Sequence, residues 1–167
     1  AFAGGASMRL DPDGIAQLCG AANNLTTILA TQTTANGGYY LFNNLLDGDY
    51  VVSIAASNFG GVLNGYWSSA TSRAANGTVS ETTAAPANTD VDLDDNGTLQ
   101  TSGALNGAVI SSTVTLGPAI NAEPPGETDL DATLPGNQQG QPDAQANMTV
   151  DFGFYTITLG NQVWNDL

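Results

Sequence analysis

Apolar and polar residues alternate along several short stretches of the chain, as they do in β-strands that bury one face. Tyr50, Val52 and Ile54 would share the buried face of one such strand. Residues 108–116 are the next candidate, and no stretch of the sequence has a helical pattern of useful length. We therefore predict an all-β fold.

Turn-forming residues separate these stretches. Residues 25–34 are rich in Thr and β-branched side chains, and Ala-Asn-Gly-Gly at 35–38 supplies the positive φ angles of a tight turn. We predict a hairpin in which residues 39–42 return alongside 25–34. Residues 56–89 and 121–147 lack a regular pattern, and the second stretch holds four of the seven prolines, so we predict two long surface loops.

The end of the chain, residues 148–167, carries enough alternation for two strands. The first would close the domain, which we place at residues 1–155. A second strand from Tyr155 to Trp164 would reach about 30 Å, which is long for a domain of this size. Its apolar side chains have no evident partner within the chain: Tyr155, Ile157, Leu159, Val163 and Trp164. We therefore expect residues 156–167 to leave their own domain.

The composition fits one exported domain. With 167 residues, 41% of them hydrophobic, the chain can bury a core. The single cysteine, Cys19, cannot form an internal disulfide, and its apolar neighbours indicate a buried small side chain rather than a reactive thiol. The sequence has no transmembrane stretch, and the opening Ala-Phe-Ala resembles what signal cleavage leaves. We expect an extracellular or cell-surface protein that does not insert into a membrane.

Acidic residues dominate the charge. Sixteen Asp and Glu oppose only Arg9 and Arg73, with no Lys and no His, and the formal net charge is −14. Nucleic acid is excluded as a partner, because phosphate contacts need a basic face. Divalent cations suit clustered carboxylates, although solubility alone accounts for part of the acidity.

One acidic stretch has the spacing of a calcium loop. Residues 92–97 read Asp-x-Asp-x-Asn-Gly, which places side-chain oxygens at positions one, three and five and a turn-forming glycine at position six. Position twelve is Gly103 rather than the glutamate of an EF-hand, so a distant carboxylate would have to complete the shell. The alternative is an ordinary turn rich in Asn and Asp. The predicted Ca²⁺ ligands are Asp90, Asp92, Asp94, Asn96, Asp129, Asp131 and the carbonyl of Thr98.

Enzymatic activity is not expected. The chain has no His and no Lys, and Cys19 has no imidazole partner, so the common nucleophile and base pairs are missing. Two carboxylates could in principle form a glycosidase site, but the acids cluster in loops with metal-like spacing. Tyr66 and Trp67 would either stack on a sugar or partner, or anchor a loop. Candidate N-glycosylation sequons begin at Asn24, Asn76, Asn96 and Asn147.

Two motifs resemble a family of bacterial surface modules. Residues 149–155, Thr-Val-Asp-Phe-Gly-Phe-Tyr, are similar to the closing strand of the B-type repeats in serine-aspartate-repeat adhesins. Residues 35–50 are similar to the signature of the collagen-adhesin B-type module. The resemblance implies a Greek-key, prealbumin-like β-sandwich of about seven strands with long acidic loops and calcium-dependent rigidity. It also implies that residues 159–167 are the first strand of a following repeat, whereas residues 1–14 contain no such strand.

These expectations combine into a prediction of function. We expect a structural subunit of an extracellular, pilus-like filament, in which identical copies join head to tail by donating residues 156–167 as a first strand. Because the chain has no lysine, the isopeptide and sortase linkages of many such pili are excluded, and cohesion must be non-covalent. Asp11, Asp13 and Asp166 would meet at the joint, where a second cation could bind. The alternative is a calcium-binding stalk or spacer module of a tandem-repeat adhesin.

Overall fold

The computed structural model describes residues 14–20, 27–35, 38–87, 94–117 and 147–160. These residues form ten short strands and one 3-10 helix, Ala56–Gly60. The strands are β1 (Ile15–Gly20), β2 (Ile28–Thr33), β3 (Gly48–Ile54), β4 (Trp67–Ser68), β5 (Thr71–Arg73), β6 (Val79–Glu81), β7 (Thr98–Leu99), β8 (Val109–Ile110), β9 (Val114–Leu116) and β10 (Phe154–Tyr155). The all-β prediction is confirmed.

Most of the strands belong to one antiparallel sheet. Its order is β2-β1-β3-β8-β7, and β9 pairs with β3 beside β8. β4 with β10, and β5 with β6, form two smaller pairs. In the central strand β3, Tyr50, Val52 and Ile54 face the main core, as the alternation predicts.

A β-bulge divides the predicted strand 108–116 into β8 and β9. Ile110 lies opposite Ser53, but Val114 lies opposite Tyr50, so four residue steps on one strand match three on the other. The Ser111 N–H donates to the Val52 carbonyl at 2.9 Å, and the Ser111 hydroxyl accepts the Val52 N–H at 3.0 Å. The serine hydroxyl therefore replaces a backbone carbonyl, and the sheet continues with its register shifted by one residue.

A second layer covers one face of the main sheet. Phe152 and Leu63 are buried in the same cluster as Ala16, Leu18 and Val109 of the sheet. Partly buried aromatic rings enlarge this cluster, and they include Tyr40, Phe42, Phe59 and Phe154. The second layer comes from the segments around these residues, which lie between the strands of the main sheet or after them in sequence.

The stretch predicted as a long loop, residues 56–89, contains core and sheet elements. It holds the 3-10 helix and the strands β4, β5 and β6 in its described part. Leu63 is buried, and the side chain of Asn58 bonds both backbone groups of Ile15, accepting its N–H at 2.9 Å and donating to its carbonyl at 2.8 Å. This stretch is thus attached to the start of β1 through Asn58. The other predicted loop, residues 121–147, lies outside the described residues except for Asn147.

The predicted hairpin forms only at its turn. Ala35 and Tyr39 exchange two backbone hydrogen bonds of 2.9 and 2.8 Å, as a tight turn requires. Beyond this bridge, β2 pairs with β1 and not with residues 39–42. Tyr40 and Phe42 instead pack against the main core. The aromatic side chains after the turn therefore join the second layer, and β2 becomes the outer strand of the main sheet.

Candidate functional site

The chain passes from β10 into an exposed segment, residues 156–160. β10 pairs with β4, with Phe154 opposite Ser68 and Tyr155 opposite Trp67. Residues 156–160 contain no strand and are exposed. Within them, Ile157 has 82% of its surface exposed and Leu159 is fully exposed at 102%. Two large apolar side chains at alternate positions are therefore presented to solvent.

Tyr155 does not belong to this exposed segment, which corrects the prediction that its ring forms part of the donated apolar face. The residue lies in β10, and its hydroxyl donates to the Thr71 carbonyl at 2.6 Å. The reason is that Tyr155 is the last residue of β10 and pairs with Trp67 of β4. Val163 and Trp164, also predicted for the donated strand, lie outside the described residues, so Ile157 and Leu159 are the two members that the structure places.

The origin of the exposed segment is held by the turn at residues 94–97. Asn96 is fully buried, its N–H donates to the Asp151 carbonyl at 2.9 Å, and its side-chain oxygen accepts the Asp151 N–H at 2.7 Å. Asp95 accepts the N–H groups of Gly97 at 3.0 Å and Gly153 at 3.1 Å. The Ser69 hydroxyl also donates to Asp95. We call Asp95 and Asn96 the 95–96 anchor, because together they hold residues 151–153 just before β10.

Sequence reasoning did not single out Asp95. Its position in the Asp-rich run gave no signal, because it falls between the alternate positions of the calcium pattern. Its role depends on Gly153, a residue 58 positions away in the chain. Only the folded arrangement shows that this carboxylate bonds backbone N–H groups of the closing segment.

Three of the predicted calcium ligands are described, namely Asp94, Asn96 and Thr98. The Asn96 side-chain oxygen accepts the Asp151 N–H, and its amide donates to Asp94 Oδ1 at 2.8 Å. In this arrangement Asn96 acts as a structural cross-link, as in the alternative interpretation of the stretch as an Asn- and Asp-rich turn. No group of three or more acidic, Cys or His side chains suited to a metal occurs among the described residues. The remaining predicted ligands lie outside them: Asp11, Asp13, Asp90, Asp92, Asp129, Asp131 and Asp166.

Gly97 is needed for a different reason from the predicted sharp turn. Its φ angle is not in the left-handed region that favours glycine. A Cβ at this position would instead lie 2.7 Å from Val109 Cγ1 and 3.0 Å from Phe152 Cδ1. The missing side chain thus lets the 95–96 anchor approach the main core.

The phenol of Tyr40 fixes the other end of the closing segment. Its hydroxyl donates to the Val150 carbonyl at 2.7 Å. Desolvation raises the pKa of Tyr40 well above its ordinary value, and the negative charge of Asp151 raises it further. The phenol is therefore held in its neutral, hydrogen-bonding form. Burial likewise raises the pKa of the Cys19 thiol, and this side chain is inaccessible, as predicted.

The predicted glycosylation sequons differ in exposure. Asn76 is exposed in the turn between β5 and β6, where its side-chain oxygen accepts the Thr78 N–H at 3.0 Å. Asn96 is buried in the 95–96 anchor, and Asn147 donates its amide N–H to the Ala87 carbonyl at 3.1 Å. Asn24 lies outside the described residues. Of the three described sequons, Asn76 is the one open to modification.

The aromatic pair Tyr66 and Trp67 lies beside the exposed segment. Both rings are partly exposed, and Trp67 lies in β4 directly opposite Tyr155. The backbone of Trp67 therefore anchors β10, while its side chain is 43% exposed. Both roles weighed from the sequence, anchoring and surface contact, are compatible with this position.

No protein-family model matches the chain, and searches of curated proteins and of solved structures find no significant match. The resemblance to B-type repeats therefore stays a prediction based on the motifs. Among the described residues, no helix is long or apolar enough to span a bilayer.

Proposed function

We propose that this chain is a structural subunit of an extracellular filament, in which residues 156–167 of one copy add a β-strand to the next copy. The observation that carries the proposal is the exposure of two large apolar side chains at alternate positions, Ile157 and Leu159, directly after the last paired strand. Thr156 and Thr158 lie before and between them, so the segment has the apolar and polar alternation of a strand without being paired as one.

Burial of this segment against a neighbour would favour assembly. Each large apolar side chain that becomes buried contributes about 1.5–3 kcal/mol, before the costs of association and ordering. Backbone hydrogen bonds to the neighbouring sheet would add to this in the manner of β-strand addition. Since donor and acceptor surfaces differ, the contact is heterologous, and it can propagate into an open fibre.

The 95–96 anchor supports this function mechanically. A donated strand transmits tension to its own domain through residues 151–155, and these are bonded to Asp95, Asn96 and the Thr71 carbonyl. The point of departure is thus fixed by side-chain and backbone hydrogen bonds from two separate parts of the chain, residues 95–96 and residue 71. Calcium bound by the predicted ligands would stiffen the same region, since Asp94 and Asn96 are members of that set.

Truncation tests the proposal directly. Deletion of residues 156–167 should give folded subunits that no longer polymerise, as measured by sedimentation and electron microscopy. The double variant Ile157→Ser/Leu159→Ser should also assemble poorly, because the apolar face of the segment is lost. The matched control is Thr156→Ser/Thr158→Ser, which changes the other face and should assemble normally. Unchanged fibres from the truncated protein would refute strand donation.

The second candidate is a calcium-binding stalk or spacer module of a tandem-repeat adhesin. The observation that favours it is the same exposed segment, because residues 156–160 would also lead into a following module of one continuous chain. The two functions differ in the covalent length of the native protein. An intact mass close to that of this chain, 17.0 kDa, supports the filament subunit, and a mass several times larger supports the stalk. Neither function calls for catalysis, in line with the residue types that the sequence lacks.

A further inference from the structure

The outer strand of the main sheet presents an open edge. β2 pairs with β1 on one side, and among the described residues no strand pairs with its other side. Two apolar side chains at its start are half exposed, Ile28 at 49% and Leu29 at 51%. An exposed, hydrophobic edge strand is a template for pairing with another chain, and proteins usually block such edges.

Some backbone groups of β2 point toward this open side. Thr34 N–H donates to the Gly14 carbonyl at 2.8 Å, which makes Gly14 and Thr34 a hydrogen-bonded pair next to the β1-β2 ladder. Hydrogen-bonded and non-hydrogen-bonded pairs alternate along antiparallel strands. Thr33 and Thr31, opposite Ile15 and Gln17, are therefore non-hydrogen-bonded positions. Their N–H and C=O groups face away from β1 and are placed to receive a further strand.

We propose that the open edge of β2 is the surface that accepts residues 156–160 of a second copy. This inference rests on the proposed strand donation and names its acceptor. The lengths agree, since residues 156–160 would extend about 16 Å and the regular part of β2, Ala30–Thr33, about 13 Å. Ile28 and Leu29, at the start of the same strand, add exposed apolar surface next to this part of the edge.

Charge favours this pairing in so acidic a molecule. The edge reads Ile-Leu-Ala-Thr-Gln-Thr and the donor segment Thr-Ile-Thr-Leu-Gly, so neither contains an ionisable side chain. In a chain with a formal net charge of −14, most other surfaces of two copies would repel each other. Two uncharged strands can approach without bringing carboxylates into contact.

The other edges of the main sheet are less suitable. β7 is two residues long, and the Leu99 N–H already donates to Glu81 Oε1 at 2.9 Å, so a carboxylate covers this edge. β9 has three residues and lies beside Asp49, which accepts a hydrogen bond from Thr115. β2, with six residues, is the longest strand at an edge of the main sheet in the described part of the chain.

A proline can block the proposed edge without removing a β1-β2 hydrogen bond. The Thr31 N–H points outward, so Thr31→Pro deletes a donor from the open side only. The variant should raise the subunit concentration needed for polymerisation about tenfold or more, the effect of a loss of about 1.4 kcal/mol in each contact, and so lower the polymer yield at a fixed concentration. Thr31→Ala keeps the N–H and is the matched control, with a yield equal to that of the parent. Circular dichroism and thermal unfolding establish that both variants fold.

Disulfide trapping provides the second measurement and does not depend on the proline variant folding. Thr31→Cys is combined in turn with Thr156→Cys, Thr158→Cys or Gly160→Cys, and the assembled protein is treated with a mild oxidant. A ladder of covalent multimers is expected for at least one combination. Single-cysteine variants give at most dimers, and Cys19 is too buried to contribute.

The outcomes separate the two proposals. If truncation of residues 156–167 abolishes the polymer but Thr31→Pro assembles as well as Thr31→Ala, strand donation stands and the β2 edge is overturned as its acceptor. Absence of a ladder from all three combinations overturns the β2 edge in the same way. If the truncated protein still polymerises, strand donation fails and the acceptor assignment fails with it.

Discussion

At the scale of single residues, a few polar side chains determine how the closing segment is held. Asn96 and Asp95 bond backbone groups of Asp151 and Gly153, and Tyr40 bonds the carbonyl of Val150. A hydrogen bond of this kind contributes about 1 kcal/mol net, but leaving a buried backbone group without its partner costs about 1–3 kcal/mol. These side chains therefore hold the segment in position, and the loss of one of them also costs stability.

Tyr40 gives this anchoring a pH dependence. Because its folded-state pKa is raised, the phenol stays protonated in the folded protein while the unfolded chain loses the proton above about pH 10. The stability associated with the neutral phenol is thus complete below the unfolded pKa and is lost as pH rises toward the folded pKa. Its contribution to the slope is at most about 1.4 kcal/mol per pH unit.

Tyr40→Phe tests this dependence. The variant should lose about 1 kcal/mol at pH 8, because the hydrogen bond to Val150 is missing. Its free energy of unfolding should then fall less steeply than that of the parent above about pH 10, because one titrating group has been removed. Urea unfolding at both pH values measures the difference. Tyr66→Phe, at an exposed ring, is the control, and an equal slope for parent and Tyr40→Phe would contradict the assignment.

At the scale of elements, the close approach between the 95–96 anchor and the main sheet explains why Gly97, just before β7, has no side chain. Gly97→Ala would place a methyl group against Val109 of β8 and against Phe152. Overpacking of a tight core usually costs about 1–3 kcal/mol, and we expect a loss in this range. Gly60, at the end of the 3-10 helix, has open space where an added methyl group would lie, with no atom within 4 Å, and its φ is not positive.

Gly60→Ala is therefore the matched control, with stability equal to the parent or slightly higher because the unfolded chain loses entropy. The shift in the urea midpoint of the two variants gives the comparison. Equal midpoints would mean that the turn yields to the added methyl group and that the close packing of Gly97 is not required.

At the scale of the whole molecule, charge is the main obstacle to assembly. A formal net charge of −14 works against both the folded state and contact between copies. A cation that binds only the folded form stabilises it by mass action. At a calcium concentration of 100 times Kd the gain is about 2.7 kcal/mol, which corresponds to roughly 5–10 °C in Tm.

Excess chelator should accordingly lower Tm by this amount, as measured by differential scanning calorimetry. Asp94→Asn removes one predicted ligand charge and should reduce the calcium-dependent shift. Asp47→Asn removes an exposed charge outside the predicted set and should leave the shift unchanged. Superimposable melting curves in calcium and in chelator would count against the predicted site.

The class of fold and the main strands could be predicted from the sequence, because alternation is a local property of the chain. Tyr50, Val52 and Ile54 share a face in β3 simply because successive side chains of a strand point to opposite sides. The turn at Ala35 and the exposed position of Ile157 and Leu159 follow from equally local patterns. The burial of Cys19 was also predictable from its apolar neighbours.

Which segments meet is visible only in the folded chain. No local pattern shows that β2 pairs with β1, or that Ser111 creates a bulge opposite Val52, since strand partners depend on loop closure across the whole chain. The roles of Asp95 and Asn96 depend on Gly153 and Asp151, more than 50 positions away. The same pattern of Asp and Asn residues can bind a cation or accept hydrogen bonds from a distant backbone segment. Only the fold distinguishes these two roles.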